Sequence, residues 1–307
     1  MTDVPTREEV KAAVNRLKNN KAPGPDGIPS EILKKGYKCM ENSIYELIVQ
    51  IWNNETIPSC WAEALICPIH KKGDVQNCEN SRGISLVNTA YRVLLIVLYG
   101  RLKPYTDKII RHYQCGFREG VSTIDQIQTL RQILEKTEFQ IEPHHLFVDF
   151  RTAYDKVNRN QLYKARLEFG IPPKLARLTR ATTEGKTAQV KLHNELSNSF
   201  RVGNGLRQGD SLACILFNIV LEKIIREANI NQRGNIFYTS VQILAYADDI
   251  DIISRYAKSL REATLALDKS ARVMGLEIDQ DKSKYMICSA RKKYGEHMLK
   301  AKHMTSE

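Results

Sequence analysis

Two adjacent carboxylates, Asp248 and Asp249, close the string Tyr246-Ala-Asp-Asp249, with apolar runs on both sides, Val241 to Ala245 and Ile250 to Ile253. Runs of that kind separated by a few residues read as a β-hairpin, which puts the acids at its tip. Like charges so placed raise each other's pKa, and a divalent cation is the simplest remedy. Neighbouring side chains on an extended backbone point to opposite sides, so at most one acid heads a shared site unless the turn rotates them together. A third acid from another strand would complete such a site. Asp149 is the candidate, because it interrupts Leu146-Phe-Val-Asp-Phe150, an otherwise apolar run of the kind a central strand shows. Oxygen donors without His or Cys nearby select Mg²⁺, or alternatively Mn²⁺, over zinc. An aromatic-x-Asp-Asp string alone is equally consistent with ordinary turn chemistry, and an aspartate at a strand end needs no catalytic role.

The elements that must position these acids are legible in part. Thr6 and Glu9 have capping-box spacing ahead of Val10, Ala13, Val14 and Leu17, which predicts an amphipathic first helix. Lys21-Ala-Pro-Gly-Pro-Asp-Gly27 must end it as a shaped loop. A helix through Ile44, Leu47, Ile48 and Ile51 follows, then a short strand, Ala64 to Ile69, that runs into His70-Lys-Lys-Gly-Asp74. A buried helix is expected after Ser85 as far as Leu102, and another from Ser122 to about Lys136. Asp210 or Ser211 can cap a helix whose inner face is Leu212, Ile215, Leu216, Ile219 and Val220. A last helix through Leu260, Ala263, Leu267 and Met274 is closed by Gly275. Helices and strands mix without βαβ alternation, so the class is α+β.

The chain has 307 residues, enough for one or two lobes with a substantial core. Its formal net charge of +11 favours a polyanionic partner such as nucleic acid, although a basic surface facing nothing in particular would give the same excess. The seven cysteines are scattered with no CxxC pair, unlike a disulfide framework or zinc site. The opening MTDVPTREEV has no apolar h-region, and no run is long and apolar enough to span a bilayer. An intracellular, soluble protein without a membrane partner is expected.

In order along the chain stand KAPGPDGIPSEIL, ICPIHKKGDVQNCENSRGISL, YQCGFREGVSTIDQI, LFVDFRTAYDKVNR, GLRQGDSLACILFNIVLE, LAYADDIDII and GLEIDQDKSKYM. Their order and density resemble the polymerase motifs of non-LTR retrotransposon reverse transcriptases, over nearly the whole chain. The resemblance implies a right-hand polymerase fold: fingers with an N-terminal extension over 1–140, a palm with an antiparallel sheet over 141–290 that returns to the fingers at about 158–205, a basic tail over 291–307, and a missing or truncated thumb. It implies an RNA-directed DNA polymerase that takes an RNA template, a DNA primer and deoxynucleoside triphosphates, located in nucleus and cytoplasm.

By the same resemblance, Asp149 and Asp248 are the principal metal ligands, Asp249 is the third acid, and the Phe150 carbonyl completes a coordination sphere. Asp155 and Asp251 are structural. Tyr154 matches the aromatic that sits beneath the sugar and excludes a 2′-hydroxyl, against the plainer role of packing the strand exit. Arg82, with Lys71 or Lys72, matches the fingers' grip on the triphosphate, against a merely solvated basic pair. Gln208 and Gly209 match the segment that approaches the template base and nucleotide, against a simple helix cap. Lys282 matches a lysine that protonates pyrophosphate, against a surface lysine. Ser81 stands where an aromatic usually precedes the arginine, and Val121 where a basic residue is common after Gly120, which puts template gripping in question. A non-catalytic, nucleic-acid-binding remnant of such an element remains the competing reading. A group II intron or telomerase-like enzyme would share the palm with different flanks, and a receiver-type or phosphatase acid cluster lacks a phosphate loop here.

Overall fold

The computed structural model describes residues 2–137, 142–193, 195–230, 241–288 and 299–300. Helix α1, Arg7–Arg16, begins with the predicted capping box: the Thr6 hydroxyl accepts from the Glu9 N–H and the Glu9 carboxylate accepts from the Thr6 N–H. Then come α2 (Ser30–Lys35), α3 (Tyr37–Asn54), strand β1 (Glu63–His70), β2 (Ser81–Leu86) and α4 (Thr89–Ile109). Helix α5 (Thr123–Thr137), β3 (His144–Val148), α6 (Ala153–Lys156), α7 (Arg159–Glu168) and α8 (Pro173–Ala181) follow. Next are β4 (Lys186–Leu192), β5 (Glu195–Leu196), β6 (Phe200–Val202) and α9 (Ser211–Glu227). The chain goes on through β7 (Gln242–Tyr246), β8 (Asp249–Ser254), α10 (Ala257–Val273), β9 (Lys284–Ile287) and β10 (Leu299–Lys300). The mixture is α+β.

Two compact units divide the chain, one made of 1–107 and 163–216, the other of 108–162 and 217–307. These bounds are not those expected from the motifs: residues 108–137 go with the second unit, and the return segment begins at 163 and ends at 216. The expected basic tail at 291–307 lies outside the described residues except for 299–300.

In the first unit the sheet order is β2-β1-β4-β5, with β6 on β4. Strands β1 and β2 are antiparallel from Leu65↔Leu86 to His70↔Ser81, whereas β1 and β4 run parallel. The sequence reading has neither β2 nor β4 to β6. Their alternation is weak, since Ser81-Arg-Gly in β2 and Lys186-Thr-Ala-Gln in β4 carry few large apolar residues, and pairing rather than propensity makes them strands. Helix α4 buries Tyr91, Val93, Leu94, Leu95, Val97, Leu98 and Leu102, an apolar surface on all sides that marks a core helix.

The second unit holds an antiparallel sheet of order β10-β9-β3-β8-β7. Strand β3 is central, as its apolar run predicts. Helix α10 packs on β3 and β8, and α5 on β7, where Ile133 and Leu130 meet Ile253 and Leu244. No helix among the described residues is long and apolar enough to cross a membrane.

Candidate active site

All three predicted acids lie in the second unit, at one end of its sheet. Strand β3 pairs with β8 as far as Val148↔Ile250, so the register carried one residue further sets Asp149 opposite Asp249. Cross-strand partners share a face of a sheet, which puts these two carboxylates on the same side. Asp249 opens β8 opposite Tyr246, and Asp248 lies in the two-residue turn beside Ala247. Ala247 has a positive φ of 58°, so the chain rotates there instead of continuing as extended backbone. Asp248 lies in the turn and not on the extended backbone of β8, so the strand-alternation rule does not apply to the pair. The Asp249 carboxyl is held above the usual range by partial burial and then by the charges of Asp248 and Asp149. Among the described residues, no three His, Cys, Asp or Glu side chains are gathered closely enough to hold an ion by themselves.

Past β3, Phe150 makes an isolated antiparallel bridge to Ile278, whose hydrogen bonds run from Arg151 N–H to the Glu277 carbonyl and from Asp279 N–H to the Asp149 carbonyl. The Phe150 carbonyl takes no part in that bridge and, by strand alternation, points away from it, toward the β8 side. Asp149 is fixed further by its own N–H, which donates to the Ser283 hydroxyl at 3.2 Å. Lys282, next to that serine, is exposed and pairs with Asp279 at 3.3 Å. The ring of Tyr154 stacks on Phe217 with centroids 4.6 Å apart and planes 21° from parallel. Both the packing role and the gate role for Tyr154 are compatible with this stack. Asp251, expected to be structural, is buried and bonds His145 Nδ1 at 2.9 Å.

The remaining predicted residues come together in the first unit. Arg82 lies opposite Ile69, and the Lys71 N–H donates to the Asn80 carbonyl, so Lys71 and Arg82 follow the same face of the β1–β2 hairpin. Lys71, Lys72 and Arg82 are exposed. Gln208 and Gly209 dock on the same strand as Arg82: the Ser85 N–H donates to the Gln208 carbonyl at 2.9 Å. Gly209 has φ +99°, and a Cβ there would lie 3.3 Å from the Ser85 carbonyl oxygen. The positive φ, more than the space, is what favours glycine here. Asp210 caps α9, accepting from the Leu212 N–H at 2.8 Å; burial pushes its carboxyl up to about 6, against that hydrogen bond and the charges of Arg207 and Lys186.

Sequence reasoning missed the residues that brace the acidic turn. Residues 113–116 run beside β7, with Ala245 N–H donating to the Tyr113 carbonyl and Cys115 N–H to the Ala245 carbonyl. Glu222, fully buried, anchors that segment by accepting from the Tyr113 hydroxyl at 2.7 Å and from Arg111 and Arg226. The only signal was the string Tyr113-Gln-Cys-Gly-Phe117 itself, which carries no periodicity.

Comparison with known proteins bears on this arrangement. The family model described as reverse transcriptase (RNA-dependent DNA polymerase) matches residues 69–303. The RNA-directed DNA polymerase from mobile element jockey of Drosophila melanogaster is 26% identical over 273 residues, covering 86% of this chain and 29% of its own length. The uncharacterized 149 kDa protein of transposon TX1 from Xenopus laevis is 22% identical, covering 91% of this chain and 22% of its own. The Pol polyprotein from the type-1 retrotransposable element R2 of Popillia japonica is 22% identical, with 90% and 38% covered. The chain therefore spans well under half the length of these relatives. Among solved structures, apo telomerase from Candida tropicalis, truncated from its C-terminal domain, superposes with a TM-score of 0.58 at 15% identity, covering 83% of this chain and 56% of that one. At that identity the likeness concerns the fold.

Proposed function

The chain belongs to the reverse transcriptase family, and from that premise we propose that it adds deoxynucleotides to a primer 3′-hydroxyl on an RNA template, as the polymerase part of a non-LTR retrotransposon. The observation that carries this reading is the β3–β8 register, which ends at Val148↔Ile250 and so brings Asp149 and Asp249 to one end of the sheet, with Asp248 in the adjoining turn. The first unit is the fingers and the second the palm.

Reverse transcriptases use divalent metal, and the donor set here is oxygen only, which suits Mg²⁺ and, less selectively, Mn²⁺. Mg²⁺ is commonly bound through one or two carboxylates plus substrate phosphates, and the carboxylates at this end of the sheet suit that mode. Asp149 and Asp248 are the principal ligands, with Asp249 and the Phe150 carbonyl as further donors. When bound, such ions activate the 3′-hydroxyl and neutralise the leaving pyrophosphate. The chain's own groups do the rest. Arg82 and Lys71 hold the triphosphate oxygens through charge-assisted hydrogen bonds. The Gln208-Gly209 backbone, brought close by a residue without Cβ, lies along the nucleotide and template base. Tyr154, fixed in place by its stack on Phe217, meets the sugar and disfavours a 2′-hydroxyl. Lys282 donates a proton to the leaving pyrophosphate. A nuclear and cytoplasmic location goes with this role.

Primer extension on an RNA template with Mg²⁺ tests it, comparing the chain with Asp248→Ala. The parent should extend the primer, and loss of a metal ligand should lower the rate on the order of a thousandfold or more. No extension by the parent would favour the non-catalytic remnant. A variant as fast as the parent would remove Asp248 from the site.

A further inference from the structure

We propose that Gln114 is a positioning residue for this reaction: its side-chain amide grips the backbone of Ala247 and thereby sets the turn that presents Asp248 and Asp249. Gln114 is fully buried. Its Oε1 accepts from the Ala247 N–H at 2.8 Å and from the Gly116 N–H at 2.7 Å, while its Nε2 donates to the Ala247 carbonyl at 3.1 Å. Only one orientation of the amide satisfies all three contacts, with oxygen toward the two N–H groups and nitrogen toward the carbonyl. The Gln114 backbone itself bridges Ala245 in parallel, so the side chain extends the sheet by the equivalent of one more peptide group, just where β7 ends.

Three neighbours make the grip possible. A Cβ at Gly116 would lie 2.2 Å from the Ala247 nitrogen, so no larger residue allows this approach. The Gly116 carbonyl accepts from Asn218 Nδ2 at 2.9 Å, which ties the segment to α9. Gln126 Nε2 donates to the carbonyls of Tyr113 at 2.9 Å and Ala245 at 3.2 Å. The object of the grip is a buried alanine with φ of 58°, a conformation that a non-glycine residue keeps only where its surroundings over-determine it. Without the amide, Ala247 is free to relax toward extended backbone, which would swing Asp248 away from Asp249 and Asp149. Gln114 touches no reacting atom; it acts through Ala247.

This inference rests on the polymerase reading for its activity arm, but its metal-binding arm does not. The test uses the full chain with Gln114→Met, which keeps the volume and removes both hydrogen-bonding functions, and Gln114→Glu, which replaces the donor facing the Ala247 carbonyl with an acceptor. Each is paired with Ala247→Gly, because glycine adopts a positive φ without strain and so needs no grip. Mn²⁺ affinity is read by electron paramagnetic resonance, unfolding by calorimetry, and nucleotide addition under single-turnover conditions. Gln114→Met should still fold, bind Mn²⁺ more weakly, and lose single-turnover rate on the order of a hundredfold, the scale that a misplacement of about 1 Å costs, with little change in KM for the nucleotide. Ala247→Gly in the Gln114→Met background should recover part of both the affinity and the rate. Parental Mn²⁺ affinity in Gln114→Met and Gln114→Glu would overturn the proposal. So would a loss that follows the unfolded fraction alone and that Ala247→Gly leaves untouched. If the parent itself adds no nucleotide, the polymerase reading fails, and the Mn²⁺ comparison still decides the role of Gln114.

Discussion

Two β-hairpins carry most of the charged residues singled out as candidate site groups, Lys71, Lys72 and Arg82 on one and Asp248 and Asp249 on the other, and they are built in opposite ways. The β1–β2 hairpin of the first unit ends in His70-Lys-Lys-Gly-Asp74, exposed throughout and held by local hydrogen bonds: Lys71 N–H to the Asn80 carbonyl, Asn80 Nδ2 to the Asp74 carbonyl, Gln76 N–H to Asp74. The β7–β8 hairpin of the second unit ends in a two-residue turn whose Ala247 backbone is held by groups distant in sequence, Gln114 bonding it and Gly116 packed against it. Under the proposed function the difference follows from what each tip would have to do. A cation attracts a phosphate over several ångströms and tolerates motion, since the interaction falls slowly with distance. Carboxylates that share metal ions must hold their oxygens at fixed separations, and their mutual repulsion works against that. The basic tip can be solvated and local; the acidic tip must be braced from outside.

The largest effect that would break this contrast comes from the acid that the brace does not touch. Asp149→Asn removes a proposed ligand at the end of the central strand while leaving the β7–β8 turn alone. Nucleotide addition should fall on the order of a thousandfold or more, since metal-borne charge stabilisation is worth several kcal/mol. The fold should not suffer. Asp149 is one of the charges that hold the Asp249 carboxyl up, so in the absence of divalent cations at neutral pH the variant should melt no lower than the parent. A lower melting temperature together with normal addition would make Asp149 structural.

A smaller effect is expected at the basic hairpin. Arg82→Ala should raise KM for the nucleotide by roughly tenfold to a hundredfold, the equivalent of losing charge-assisted hydrogen bonds of about 1.5–3 kcal/mol. The exposed side chain should leave the melting temperature unchanged. Because the contrast holds that this tip acts through charge, Arg82→Lys should retain more than Arg82→Ala, and the gap should narrow as salt is raised. Equal losses for both substitutions would mean that Arg82 works through its shape or packing.

The same contrast explains what could be read from the amino-acid sequence. Local features were legible: the Thr6–Glu9 capping box, the helix start at Asp210 or Ser211, the paired apolar runs that make β7 and β8 a hairpin, and the apolar run around Asp149. What could not be read was any contact made between remote segments by residues with no pattern. Gln114 is one polar residue in a short irregular stretch, and its bonds to Ala247 exist only once β7 lies beside residues 113–116. The positive φ of Ala247 was equally hidden, because alanine gives no signal for it as glycine or asparagine would. Strand β4 was missed for a related reason, since its parallel pairing with β1 is supplied by a partner more than a hundred residues away.

The smallest effect sharpens the contrast from the side of the first unit. Asp210 is an acid without a metal role, seated beside Gly209 where burial lifts its carboxyl to about 6 despite Arg207, Lys186 and the Leu212 N–H. The unfolded chain has this group near 3.9, so between those values the folded state holds more protons, and stability falls as pH rises from about 4 to about 6. Above that window the cost of the buried charge is present in full, and below about 4 it vanishes. A shift of about two pH units sets an upper bound near 3 kcal/mol, and partial exposure of the residue reduces it to about 1 kcal/mol. Asp210→Asn keeps the helix cap, because asparagine accepts the same Leu212 hydrogen bond, and it removes the titration. The variant should therefore melt higher than the parent at pH 7.5, by about 2 °C for a chain of this size, and the two should converge near pH 4. Melting curves from pH 4 to pH 8 for both proteins measure this directly. A constant offset across the range would show that Asp210 is stabilised as a carboxylate by its cationic neighbours, and the acid of the first unit would then be as well braced against its charge as those of the second.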